Sequence, residues 1–262
     1  MPDLDWNENY WNREYEWPQH GEEWSRQWGN SMVQWWGTIF PRISMLLPAS
    51  RVVEIAPGQG RWTRYLLNMC DDYAGFDISS NTVRYCNNNL ASFGKARSRR
   101  FAINSGIDLP GVEDGSADLV FSFDSLVHVE MTVIRAYLTE IARVLRPGGH
   151  AFIHHSNLGM FGIKGEQNPH CRGETVSAES VRNVCAELGL DVVIQEMVNW
   201  STEICQDCFT TVKAPDGSPV ETTVIYNDHF WDEAARTRKA LGAYHKRPRN
   251  AESKTAAAEP DK

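Results

Sequence analysis

Two acids and two glycines are the first residues whose spacing suggests chemistry. Glu54 lies at the carboxyl end of the apolar run Val52-Val53-Glu54-Ile55, and Ala56-Pro57-Gly58-Gln59-Gly60 follows. Asp77 then closes the strand-sized stretch Tyr73-Ala74-Gly75-Phe76-Asp77. Glycines lack a β-carbon, so Gly58 and Gly60 let the loop take positive φ and a ligand lie against the main chain. An acid at the end of a second strand suits a ribose, because one carboxylate accepts from both hydroxyls. Strand, glycine loop, helix, strand and acid therefore describe a nucleoside-binding half-fold.

A second set of residues could move protons. His128 lies in Asp124-Ser125-Leu126-Val127-His128-Val129, and His154-His155-Ser156-Asn157 ends another apolar run. Imidazole titrates near neutrality and suits removal of a proton from an acceptor. Neighbouring strand residues face opposite sides, so His154 and His155 cannot both aim into one pocket unless the strand bends. His128, His154 and His155 are the catalytic candidates, and the sequence does not rank them.

These residues need a sheet to position them. The middle of the chain alternates strand and helix, which implies a parallel sheet with helices on both faces. The spacing predicts strands at 100–104, 118–124, 150–157, 191–198 and 208–213. Helices are predicted over 81–90, 131–145 and 178–188, with Ser177 as a cap. Val220 to Tyr226 is read as a further returning strand, and 231–244 as a terminal helix. Residues 158–175, rich in glycine and polar side chains, read as a lid beside the pocket.

The ligand of the loop follows from what it lacks. A dinucleotide fingerprint needs a third glycine in the first helical turn, and position 63 is Thr. The acid before the loop would repel a pyrophosphate and suits an ammonium group. On these residues the stretch resembles the glycine loop of class I S-adenosylmethionine-dependent methyltransferases. Pro110 to Asp118, the strand Leu119-Val120-Phe121-Ser122 and Leu145-Arg146-Pro147-Gly148-Gly149 extend the resemblance over about residues 50 to 157.

The resemblance implies a seven-stranded, mostly parallel Rossmann-like sheet with an antiparallel last strand. It implies S-adenosylmethionine as cofactor, with Glu54, Gly58 and Gly60 at its amino-acid end. Asp77 would take the ribose, Asn104 and Ser105 the adenine, and Asp124 faces the methionine part. Ala56 and Ile78 count among the cofactor contacts. The family usually has Asp where Asn104-Ser105 stands, and Asp108 is an alternative.

Seven of the ten tryptophans precede residue 37: Trp6, Trp11, Trp17, Trp24, Trp28, Trp35 and Trp36. Aromatic side chains bury large areas, so some of them cover the sheet. The segment also reads as a helical cap over the cofactor pocket. Trp28, Trp35 and Trp36, with Asn157, are the candidate acceptor-binding residues. The expected organisation is a cap over 1–48, a methyltransferase domain over 49–245 and a disordered tail over 246–262.

Composition limits the partners. The net charge is −8, from 26 basic and 34 acidic residues, which argues against a nucleic-acid substrate. No stretch approaches the ~18 apolar residues of a membrane span. The acidic start Met-Pro-Asp-Leu-Asp-Trp does not read as a secretory signal, and six scattered cysteines fit a reducing cytoplasm. Cys205 and Cys208 have the spacing of half a zinc site, without a second such pair, so no metal is expected. A homodimer is compatible with these features.

The expected function is methyl transfer to a small polar acceptor, foremost a hydroxyl of a sugar, glycoside or other metabolite. An amine acceptor, a non-catalytic binder of the cofactor and a nicotinamide oxidoreductase are the alternatives.

Overall fold

The computed structural model describes residues 3–242 and 244; the tail expected over 246–262 lies outside the described residues. Eight strands form one sheet: β1 (Ala49–Ile55), β2 (Cys70–Asp77), β3 (Ser98–Ile103), β4 (Ala117–Ser122), β5 (Leu145–Ser156), β6 (Asp191–Val198), β7 (Asp207–Lys213) and β8 (Thr223–Asn227). Their order is β3-β2-β1-β4-β5-β7-β6-β8. The pairs on either side of β1, β4 and β2 are parallel, and β7 runs antiparallel to both β5 and β6. The expectation of seven strands is corrected to eight. The segment after the Pro215–Pro219 turn adds β8 parallel to β6 at the sheet edge.

The α-helices are α1 (Leu4–Asn9), α2 (Ser31–Gln34), α3 (Phe40–Ile43), α4 (Thr63–Leu66), α5 (Ser80–Asn89), α6 (Met131–Val144), α7 (Ala178–Glu187) and α8 (Phe230–Leu241). Ser177 caps α7 through a capping box with Ser180. Among the described residues no helix is long and apolar enough to cross a membrane.

Strand alternation feeds two cores. Val53, Val120, Ala151 and Ile153 face α6 and α7, where Leu138, Ile141 and Val181 meet them. Val52, Leu119, Phe121 and Phe152 face the other way, toward Leu66, Trp28, Trp35, Ile39 and the α8 residue Phe230. Trp28, Val33, Trp35, Ile39 and Ile43 of the expected cap are thus part of the core. Trp28 and Trp35 are fully buried, and the Trp35 ring stacks on Tyr65 at 4.9 Å. Gly37 lets α8 approach closely, since a β-carbon there would stand 2.1 Å from Thr237 Cγ2.

The strand order reverses at β1. The chain runs outward through β2 and β3 and then returns to place β4 on the opposite side. The connections leaving the carboxyl ends of β1 and β4 therefore diverge, and open α/β sheets bind ligands in the crevice between such connections.

Trp35→Ala is expected to cost ~3–5 kcal/mol, the range for truncating a fully buried large aromatic. Urea unfolding checks it, and a midpoint equal to the parent's would remove Trp35 from the core.

Candidate functional site

Three left-handed residues shape the crevice. Ala56 (φ 55°) and Gly58 (φ 56°) follow β1, and Asp124 (φ 64°) follows β4. The Ala56 amide bonds the Phe76 carbonyl at 2.7 Å, so the chain leaves β1 still tied to β2. Asp77 then fastens the loop: its Oδ2 accepts from the Gly58 amide and its Oδ1 from the Ser79 amide, both at 2.9 Å. Burial raises the Asp77 pKa, and these two amides oppose the shift.

The resulting cavity opens to solvent, and about 820 Å³ of space, open solvent included, lies within its walls and mouth. Of the residues expected at the cofactor, Ala56, Gly58, Asp77, Ile78 and Asp124 line it. Indoles roof it. Trp17 lies on the loop so closely that a β-carbon at Gly58 would stand 2.6 Å from its ring. Trp11, Trp24 and Trp62 complete the aromatic wall.

Arg61 lies in this wall. Its guanidinium is 5.1 Å from the Trp24 ring and 4.5 Å from the Trp62 ring, and it bonds Asp124 Oδ2 at 2.6 Å. Sequence reasoning missed Arg61, although it directly follows Gly60 at the entry to the helix. Tyr137 was also missed as a lining residue, because its helix reads as an ordinary amphipathic surface helix.

Other expected contacts fall elsewhere. Glu54 lies beneath the loop, where Thr63 Oγ1 and the Tyr73 hydroxyl donate to its Oε2. Burial pushes its pKa up to about 7, despite those hydrogen bonds. Glu54 thus shapes the loop from below. Gly60 makes the turn (φ 81°), and its α-carbon packs against Leu90, away from the cavity. Ser105 is exposed and caps onto Asp108.

Asn104 is buried at the end of β3, donating to the Asp108 carbonyl and contacting the Tyr137 hydroxyl. The Asp108 carbonyl only accepts, which fixes the amide's orientation. Asn104 Oδ1 is left without a partner. A buried acceptor lacking a donor, beside a cavity with a carboxylate at Asp77 and a cation at Arg61, fits a zwitterionic adenosine ligand.

Of the acceptor candidates, Trp28 and Trp35 are in the core, and Trp36, though 41% exposed, is not part of the cavity wall. Asn157 is fully buried, donating to the Cys205 carbonyl and accepting from the Ala178 amide. None of these four lines the cavity, whose roof comes from Trp11, Trp17 and Trp24, earlier in the chain.

The histidines separate by their hydrogen bonds. His154 and His155 face opposite sides of β5, both fully buried. His155 uses Nδ1 on the Ser156 carbonyl and Nε2 on Thr210 Oγ1, and burial pulls its pKa down to about 4. His154 uses Nδ1 on the Asp124 amide and Nε2 on Asp207 Oδ2, both at 3.2 Å. Neither ring reaches the cavity. His128 is half-buried, with Nδ1 3.1 Å from the Cys171 carbonyl and its ring 5.6 Å from that of Trp11. A carbonyl only accepts, so Nδ1 carries the proton and Nε2 keeps its lone pair. Burial, and then the charge of Arg172, lower its pKa and favour the neutral ring.

The segment 158–175 is tied down at Arg172, which grips Asp207 through Nε and Nη2 at 2.5 and 2.8 Å. Among the described residues no three His, Cys, Asp or Glu side chains gather as a metal site.

Fold and site together define a class I methyltransferase architecture. Residues 53–153 match a family model described as a methyltransferase domain. This stretch is thus similar to a methyltransferase domain, and the chain has the class I S-adenosylmethionine-dependent methyltransferase fold. The chain is similar to O-methyltransferase rstn1 of Aspergillus nomiae, 31% identical over 39% of this chain and 45% of that protein. It is similar also to a fatty-acid O-methyltransferase of Mycolicibacterium smegmatis, 32% identical over 38% of this chain and 35% of that one. Each match spans less than half of the relative's length.

Among solved structures, the N-methyltransferase NodS of Bradyrhizobium japonicum WM9, in complex with S-adenosyl-L-homocysteine, aligns with a TM-score of 0.53 at 17% identity. The alignment covers 77% of this chain and 92% of that one. An S-adenosylmethionine-dependent methyltransferase from Mesorhizobium loti aligns at 0.51 and 14% identity, covering 69% and 97%. Identities this low speak for the fold alone.

Glu54 holds its proton more tightly folded than unfolded, with a pKa near 7 against 4.5. Its contribution to stability is therefore full below pH 4.5 and lost as pH rises through 7. Glu54→Gln should be more stable than the parent at pH 8, by on the order of 3 kcal/mol, with the gap closing toward pH 4.5. Thermal unfolding across that range measures it, and a gap that widened on acidification would contradict it.

Proposed function

We propose that the protein is an S-adenosylmethionine-dependent methyltransferase acting on the oxygen of a small acceptor. The observation that carries this reading is the Gly58–Asp77 clasp beneath an aromatic-roofed cavity at the sheet's switch point. Asp77 suits the ribose diol. Arg61 and Asp124 offer opposite charges to the amino-acid end. Asn104 Oδ1 offers an acceptor to the adenine amino group.

When bound, S-adenosylmethionine supplies a methyl group activated on a sulfonium sulfur. The chain's work is then orientation, exclusion of water and removal of one proton. Holding two reactants in line can account for ~7–11 kcal/mol of a barrier. The indoles Trp11, Trp17 and Trp24 exclude water and offer flat faces to a ring-shaped or apolar acceptor. His128 is not part of the cavity wall but packs against Trp11, which is; its Nε2, the unassigned lone pair of the three histidines, would take the hydroxyl proton from there.

The two relatives described above are named O-methyltransferases, which supports oxygen over nitrogen as the acceptor atom. A sugar, glycoside or other hydroxylated metabolite remains the favoured acceptor class. The low basic charge supports a small molecule over a nucleic acid.

Calorimetry with S-adenosylhomocysteine should give one site per chain. Labelled-methyl transfer to a panel of glycosides and hydroxy compounds then tests the acceptor. His128→Ala should lower kcat by about 10²–10⁴ on a hydroxyl and leave cofactor affinity in place. An acceptor that needs no base, such as a carboxylate or a neutral amine, would leave kcat nearly intact and reject the hydroxyl reading. Absence of any heat with the cofactor product would reject the enzyme class itself.

A further inference from the structure

We infer that His154 is a positioning residue: its Nδ1 lone pair holds the Asp124 amide, and so the turn that aims the Asp124 carboxylate at Arg61. Its consequence for ligand binding rests on the cofactor reading above; its geometry does not.

Asp124 adopts φ 64° immediately after β4. A non-glycine residue keeps such a conformation only when its surroundings over-determine it. Two contacts do so here. The amide donates to His154 Nδ1, and the carboxylate reaches Arg61 Nη2 at 2.6 Å. Arg61 is itself wedged between Trp24 and Trp62, so the carboxylate has one fixed target.

The direction of the His154 bond follows from its other side. Burial alone would raise the Asp207 pKa, but Arg172 and then His154 outweigh it and hold the carboxyl below the usual carboxylate range. Asp207 is therefore ionised and only accepts. Nε2 must then be the donor and Nδ1 the acceptor, which is what the Asp124 amide requires. Phe123, Phe209 and Trp200 pack around the ring with centroids 4.8, 4.8 and 5.0 Å away, which opposes a ring flip. The outcome is a chain of contacts, Arg172–Asp207–His154–Asp124–Arg61, running from the 158–175 segment to the cavity wall. With both nitrogens committed, His154 has no lone pair for an acceptor.

Two substitutions separate positioning from bulk packing. Asn at this site keeps an acceptor near the Nδ1 position, and Leu removes it. His154→Leu should weaken S-adenosylhomocysteine binding about tenfold or more, with His154→Asn within about threefold of the parent. Histidine-selective ¹⁵N spectra of the parent protein should show the Nε2–H tautomer for the neutral His154 ring. Leu binding as tightly as the parent, Asn as weakly as Leu, or an Nδ1–H tautomer would each overturn the inference. Should His154→Leu fail to fold, the Asn variant and the tautomer still decide. If the parent itself does not bind S-adenosylhomocysteine, the cofactor reading fails while the spectra still test the hydrogen bond.

Discussion

The Asp77 carboxylate between two backbone amides is the constraint on which the rest of the site depends. One oxygen holds Gly58 and the other holds Ser79. The first bond fixes the loop after β1, and the second starts the helix after β2. Both amides would otherwise be buried donors without partners, which costs free energy comparable to a lost hydrogen bond. The arrangement also stores an electrostatic penalty. Glu54 is buried close enough for the Asp77 charge to raise its pKa further. Two buried acids beneath one loop oppose folding at neutral pH unless a cation or hydrogen-bond donors compensate. Tyr73, Thr63 and the loop amides do so in part, and Arg61 adds a favourable charge.

The tryptophans divide between two tasks at about residue 28. Before it, Trp11, Trp17 and Trp24 form a mutually packed group, with ring centroids 5.2–6.0 Å apart, over the cavity. From it onward, Trp28 and Trp35 sink into the core beneath the sheet. The division has a chain-geometric cause. The left-handed Gly29 (φ 95°) and the Asn30 cap, which accepts from the Val33 amide, turn the chain onto the second face of the sheet. There the helical segments and α8 compete for the same apolar strand positions. Upstream of the turn the chain runs over the crevice and the helix beside it, where Asn81 donates to the Asn12 carbonyl and His20 stacks on Tyr85.

The charged groups around β5 and β7 form a second buried layer. Asp207 pairs with Arg172 and His154, and Asp124 with Arg61. Truncating one partner of such a buried pair leaves an uncompensated charge, so the pairs hold together as a unit. They bind the 158–175 segment to the sheet in a definite place. That segment's glycines and polar residues suggest looseness, yet Asn168, Arg172 and Glu174 are buried within it.

The sequence by itself determined the order of strands and helices along the chain, the two glycines and the acid at Asp77. Each is a local pattern: strands show in runs of apolar residues, turns in glycine, helix starts in caps. It also determined that His154 and His155 face opposite ways, because a strand's side chains alternate. Tertiary structure alone decided which tryptophans roof the cavity and which histidine keeps a lone pair. It also decided that Glu54 supports the loop from below, and that Arg61 enters the site. Those outcomes depend on partners far along the chain: Cys171 for His128, Asp207 for His154, Asp124 for Arg61. A side chain's chemistry is set by the atoms that surround it after folding, and residue type and spacing do not encode those neighbours.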